Sequence, residues 1–304
     1  MGSSGDRWTP DGRAAWPRPL DPHELLWTAR RLVRANLGPI AAVMAVFVFP
    51  VYLAWAFVAP SDMNWTSPFM PALPLATLSW FGALPSPLAR ALAMLLGFTG
   101  VSVAVATITR LTARSYLTRD LAGPERPGPV ARRLPGVVTA FAAVHALEAG
   151  GLLLAVAVIL VLGWSGAGTW TAVAVGLPAL LAVPVVALLA MTLSFVTMPA
   201  LIVEGRTVLG ALRRSVALIR WRFWTSLAVV TSGGVLAMVL LVGLHTPFAL
   251  VYGLSGEDGP VRAAWPIQSL GGMVASLATI PFFVTLATVV YFDLRARFEG
   301  QAPA

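Results

Sequence analysis

The chain has 304 residues, 58% of them hydrophobic and 11% charged, against about 45–50% and 25% in an ordinary soluble domain, which excludes a soluble globule. The formal net charge is +8, and because the sequence contains no lysine, all 21 basic residues are arginine. It contains no cysteine either, so disulfides, thiolate metal sites and cysteine nucleophiles are excluded.

Residues 1–20 combine Pro10, Pro17 and Pro19 with glycines and lack apolar periodicity, so a disordered cytoplasmic tail is expected. Asp21, Pro22 and Glu24 read as a helix start: a capping side chain, a proline in the first turn, and a glutamate three residues on. Leu25, Leu26, Ala29, Leu32 and Val33 then recur at helical spacing, with Trp27, Arg30, Arg31 and Arg34 on the opposite stripe. A second segment has the same design. Leu209, Leu212, Val216, Ile219 and Phe223 form one face, while Arg206, Arg213 and Arg220 recur every seven residues on another. Both are expected to lie in the headgroup plane, apolar side down, with arginines facing anionic lipid.

A helix needs about 20 mostly apolar residues to cross a bilayer. Six stretches meet that requirement, approximately Pro39 to Ala59, Ala91 to Thr109, Ala146 to Gly163, Leu177 to Thr197, Trp224 to Leu244 and Ser269 to Tyr291. The fold class expected is an all-α integral membrane protein. Its six transmembrane helices form one domain over residues 21–300, with cytoplasmic amphipathic helices at the interface. The first span reads as an anchor rather than a cleaved signal, because a long segment precedes it. Pro50, Pro178, Pro184 and Pro281 are expected to kink the first, fourth and sixth spans.

Under this assignment 19 of the 21 arginines fall on one side, leaving Arg90 and Arg262 for the other. Basic residues near helix ends stay on the cytoplasmic side, so both termini are expected there. The pairs Arg30-Arg31, Arg132-Arg133 and Arg213-Arg214 each precede an outgoing and a returning span. They suggest three hairpin units over about 21–116, 117–205 and 206–300. Small residues four apart, Gly100 with Ala104, Gly151 with Ala155, Gly233 with Ala237 and Gly272 with Ser276, suit close helix contact within one chain or a homodimer face.

Within the spans as drawn, Glu148 is the one carboxylate, and His145 precedes it on the same helical face. The pair reads either as a proton or cation site or as an interfacial pair neutralised by a loop arginine. His23 and His245 fall on opposite sides of the membrane, so no metal site is expected. The sequence shows no phosphate loop, no GxSxG elbow, no HExxH and no paired catalytic carboxylates in its loops. No cofactor and no nucleic-acid partner are expected.

The stretch from Pro199 through Glu204-Gly205-Arg206, Arg213-Arg214-Ser215 and Arg220-Trp221-Arg222-Phe223-Trp224, and the end from Tyr291-Phe292-Asp293 through Arg295, Arg297 and Glu299, resemble a family of bacterial membrane proteins. Residues 20 to 37 are similar in pattern. The family is related to the membrane domain of glycerophosphoryl diester phosphodiesterases and is abundant in actinobacteria; absent lysine and heavy alanine and arginine usage suit such a high-GC genome. The resemblance implies a multi-pass architecture in the cytoplasmic membrane. It does not imply hydrolysis, because in the two-part enzymes that belongs to a separate barrel with carboxylates, histidine and a divalent metal, and no residue here matches its active site.

Three function classes follow: a non-catalytic module binding lipid or a partner protein, a small transporter or permease, and a lipid-modifying enzyme. The surface expected to serve the first comprises Glu204, Arg206, Arg213, Arg214, Arg220, Trp221, Arg222, Trp224, Asp293, Arg295 and Arg297. Glu204 and Asp293 are expected to pair with arginines of the amphipathic helices, leaving the other arginines for anionic headgroups or a protein partner. The topology is testable on this cysteine-free background: a cysteine at Ser255 reacts with an impermeant thiol reagent from outside and one at Ser215 from inside, and the opposite pattern overturns the orientation.

Overall fold

The computed structural model describes residues 20–50, 87–118, 133–164, 168–254 and 261–300. Side chains at 87–94, at 148–149 and along parts of 151–184 and 249–269 fall outside that description. The described residues form helices alone: α1 Pro22–Ala35, α2 Leu37–Phe47, α3 Pro87–Thr118, α4 Leu134–Trp164, α5 Thr169–Ser194, α6 Thr197–Glu204, α7 Val208–Trp221, α8 Phe223–Leu254 and α9 Val261–Gly300.

Four stretches among them are long and apolar enough to cross a membrane: Leu95–Leu117, Val185–Glu204, Phe223–Phe248 and Leu270–Glu299. Of the other two expected spans, the first begins in α2 and leaves the described residues after Pro50, and the third lies in the 31-residue α4. The expected tail, residues 1–19, also lies outside the described residues.

Three helix breaks lie just ahead of prolines, of which Pro50 is one of those expected to matter. A proline has no N–H for the carbonyl four residues back and disfavours helical backbone just before it. The helical run is interrupted at Asn36, at Val48 and at Phe195–Val196, each two to four residues ahead of Pro39, Pro50 or Pro199. By contrast, α5 remains one helix through Pro178 and Pro184, and α9 through Pro281. Local polar groups repair the breaks. Asn36 Nδ2 donates to the Leu32 carbonyl at 2.9 Å while its Oδ1 accepts from Ser115 Oγ of α3 at 2.9 Å. Ser194 Oγ donates back to the Ala190 carbonyl at 2.8 Å.

The last third of α9 is the axis of the molecule. From Pro281 to Leu294 it is buried on nearly every side, as a helix that is apolar all round must be, with α8, α1, α3 and α7 packed about it. Buried residues are frequent along Leu270–Glu299 and sparse along Phe223–Phe248, so α9 is the inner member of its hairpin and α8 the outer. Two glycines set their register. The Leu286 side chain occupies the space a Cβ on Gly233 would need, and a Cβ on Gly271 would stand 2.7 Å from Phe248 Cβ. Advancing from Gly233 to Phe248 along α8 retreats equally along α9, from Leu286 to Gly271, as antiparallel packing requires. Gly271 is therefore a contact glycine of this hairpin, as Gly233 is. Helices α4 and α5 form a second hairpin against each other.

The two amphipathic helices settle differently from expectation. In α1 the stripe holds, with Leu25 and Ala29 buried and Trp27, Arg30, Arg31 and Arg34 exposed, but its apolar side packs on α9, α8 and α3 rather than being left for lipid. In α7 the buried stripe is Ala211, Ser215, Leu218 and Ile219, while Leu209 and Val216 are exposed. The helix is rotated by about a quarter turn from the expected face, because small side chains at 211 and 215 allow close approach; Ser215 Oγ donates to the Leu193 carbonyl at 2.7 Å. Ser215 is thus a poor labelling position, and the exposed Ala217 is the better reporter for this end of the bundle.

The glycine register makes a paired prediction. Gly271→Ala drives a methyl against the Cβ and Cγ of Phe248, which a rotamer change cannot clear, and is expected to cost about 1–3 kcal/mol. Gly234 has open space around it, so Gly234→Ala is expected to be neutral or stabilising by up to about 1 kcal/mol. Thermal unfolding of the detergent-solubilised variants checks both, and equal effects refute the register.

Candidate functional site

The charged residues singled out in the sequence gather at one end of the bundle, around the last turns of α9. Glu204 ends α6, its side chain 10% exposed. It accepts from Tyr291 Oη at 2.6 Å and Arg214 Nε at 3.1 Å, and also pairs with Arg206. Arg214 continues to Glu299 Oε1 at 2.6 Å, and Arg295 Nε reaches Glu299 Oε2 at 2.9 Å. One network therefore ties the end of α6, the middle of α7 and the end of α9. A carboxylate withdrawn from water persists only with such partners, and the guanidinium fork supplies two directions of bonding at once.

Asp293, 6% exposed, does not pair with an amphipathic-helix arginine as expected. Its partner is Arg297, one turn on in the same helix, with Nε 3.0 Å from Oδ2. The reason is α1, which presents its main chain here: Leu20 N–H donates to Asp293 Oδ1 at 2.7 Å, and Arg297 donates to the Leu20 carbonyl at 2.7 Å. The two side chains grip both polar groups of one residue and fix where α1 begins. Asp21 N–H then donates to Glu24 Oε2 at 3.0 Å, the reciprocal bond of a capping box.

Gly205 is the turn on which the network depends. Its φ of +68° closes α6 in the left-handed conformation that glycine adopts without a Cβ penalty. The Arg133 guanidinium lies where that Cβ would be, 2.9 Å away, and Arg133 Nη1 approaches the Leu201 carbonyl at 3.4 Å. Cationic groups suit the carbonyl end of a helix. Of the paired arginines, then, Arg214 turns into the bundle and Arg133 lies against Gly205 while staying exposed, whereas Arg213, Arg30 and Arg31 face outward.

The remaining candidates have other surroundings. Arg213 and Arg220 are exposed on α7 with no acid paired to them among the described residues, and Arg222 caps that helix. Trp221 sits edge-on to Phe298 at 6.4 Å, and Trp224 is 79% exposed. His145 has aromatic surroundings among the described residues. Its ring packs against Phe141 at 4.1 Å and Phe98 at 5.9 Å, with Nδ1 2.8 Å from the Phe141 carbonyl; the Glu148 side chain lies outside the described residues. Among the described residues no three acidic or histidine groups converge as a metal site would require. Comparison with protein-family profiles, with curated proteins and with solved structures gives no match.

Sequence reasoning missed Tyr291 as a ligand of Glu204 and Arg133 as the cover of Gly205. The spacing Tyr291, Arg295, Glu299 is a visible signal, since residues four apart share a helix face; nothing local points to Arg133. The arrangement predicts opposite outcomes for adjacent arginines. Arg214→Gln leaves Glu204 and Glu299 without their shared partner and is expected to cost about 1–3 kcal/mol, while Arg213→Gln stays within about 0.5 kcal/mol. Unfolding midpoints in detergent test this, and equal sensitivity at the two positions refutes the division.

Proposed function

We propose that this chain is a six-span protein of a bacterial cytoplasmic membrane with both termini inside, a non-catalytic module whose basic end engages anionic lipid headgroups. The observation that carries the reading is the sorting of arginines at that end. Arg214, Arg295 and Arg297 are neutralised by Glu204, Glu299 and Asp293, with Arg206 pairing to Glu204 at the rim, while Arg30, Arg31, Arg34, Arg213 and Arg220 remain exposed. The first group is scaffold and the second is surface.

The wider distribution of side chains supports a lipid setting. Leu96, Leu160, Val161, Val185, Val239 and Leu250 are among many large apolar side chains more than half exposed, far more than a water-soluble surface carries. Exposed tryptophans stand at both ends: Trp164 at 95% and Trp170 at 86% at the α4–α5 link, Trp27 and Trp224 at the charged end. The 26 residues of α5 separate these levels by about 39 Å, close to the thickness of a bilayer with its headgroups, where such belts sit. The likeness to the phosphodiesterase membrane domain fits the same reading, with architecture shared and hydrolysis absent. A transporter would need a polar path, and among the described residues His145 is enclosed by two phenylalanines.

The test is lipid binding by the purified, delipidated protein. Phosphatidylglycerol is expected to bind at least about tenfold more tightly than phosphatidylcholine, each exposed arginine contributing on the order of 1 kcal/mol, and the preference should shrink as salt rises. Replacing Arg30, Arg31, Arg34, Arg213 and Arg220 together by glutamine is expected to abolish it. Equal binding of the two lipids by the unaltered protein, or metal-dependent hydrolysis of a glycerophosphodiester, overturns the proposal.

A further inference from the structure

We infer that Arg213 and Arg220 form one bivalent site on α7 for a single lipid molecule carrying two phosphodiesters. The inference rests on the preceding reading, that the basic end faces anionic lipid, and adds which arginines and which headgroup. Seven residues on a helix turn the direction through nearly two full revolutions, so the two side chains leave α7 in almost the same direction, about 10.5 Å apart along its axis. Val216 lies between them on that line and Leu209 one turn before; both are exposed, at 40% and 55%. The exposed edge of α7 therefore alternates aliphatic and cationic side chains.

Three features select the ligand. First, this edge carries two charges without acidic partners among the described residues, whereas the adjacent Arg214 is consumed by Glu204 and Glu299. One dianionic headgroup neutralises both. Second, Val216 between the arginines and Leu209 before them, with Trp221 exposed next to Arg220, suit acyl chains entering alongside the phosphates; an acidic peptide has no such chains. Third, α7 is held by Ser215 to α5 and by Arg214 to α6 and α9, so its spacing is rigid. Once one phosphate of a two-phosphate lipid is bound, the second is presented at high effective concentration, an advantage two separate lipids lack.

The experiment titrates the delipidated full chain in neutral detergent with tetraoleoyl cardiolipin and with dioleoyl phosphatidylglycerol at equal total phosphate, counting bound lipids by native mass spectrometry. Cardiolipin is expected to bind about tenfold or more tightly. Arg213→Gln or Arg220→Gln alone is expected to bring the two lipids to equal affinity, and because both side chains are exposed, neither change should disturb folding. Arg30→Gln with Arg31→Gln, on α1, should leave the preference intact. Equal affinity of the unaltered protein for both lipids, or a preference that survives both single substitutions, overturns the bivalent site alone. Binding of neither lipid overturns the preceding reading with it. Tighter binding of poly-glutamate than of either lipid, lost in the same two variants, would assign this edge to an acidic protein partner instead and overturn the inference.

Discussion

An ionised carboxylate withdrawn from water must be met by donors, and Glu204 and Asp293 impose that requirement on the charged end of this molecule. Asp293 sits in the stretch of α9 that is buried on nearly every side, and Glu204 closes a helix packed beside it. Satisfying Asp293 brings Arg297 and the main chain of Leu20 together, which fixes the start of α1. Satisfying Glu204 brings Tyr291 and Arg214 together, which fixes α7 against α9. The positions of both amphipathic helices thus follow from two acids, and the arginines these acids do not use become the basic surface.

Packing follows the same polarity. Apolar burial is concentrated near the charged end, where α3, α6, α7 and α9 meet through Ile108, Ala200, Leu218 and Leu286, all buried. Toward the other end α3 exposes Leu95 and Leu96, and α9 exposes Leu270 and Val274. In water that gradient would expose far too much apolar surface; in a bilayer the lipid supplies the missing contacts, since hydrocarbon tails are as apolar as leucine. The rigid part of the molecule is then the end that carries the charges, which is where a binding geometry has to be held.

Some of the architecture is legible residue by residue. The start of α1 follows from Asp21, Pro22 and Glu24, and its stripe from the spacing of Leu25 and Ala29, because capping and periodicity are local effects. The face of α7 was misread for an equally physical reason. Its sequence carries two apolar stripes, and the one the protein buries contains Ala211 and Ser215, whose small size is worth more in close packing than Leu209 and Val216 are in area. Periodicity weighs hydrophobicity and does not weigh shape. The breaks at Asn36 and Phe195–Val196 follow from Pro39 and Pro199, whose lost hydrogen bonds fall several residues upstream.

The sequence by itself determined the helical class, the apolar stretches, the sign of the charge and which residues are acids scarce enough to matter, because composition and period depend only on neighbours along the chain. Only the tertiary structure decided that Arg214 and not Arg213 turns inward, that Leu20 is held by residues 293 and 297, that Gly271 meets Phe248, and that Arg133 lies against Gly205. Those outcomes join residues tens to hundreds of positions apart. They depend on how α9 is enclosed, and no local preference encodes that.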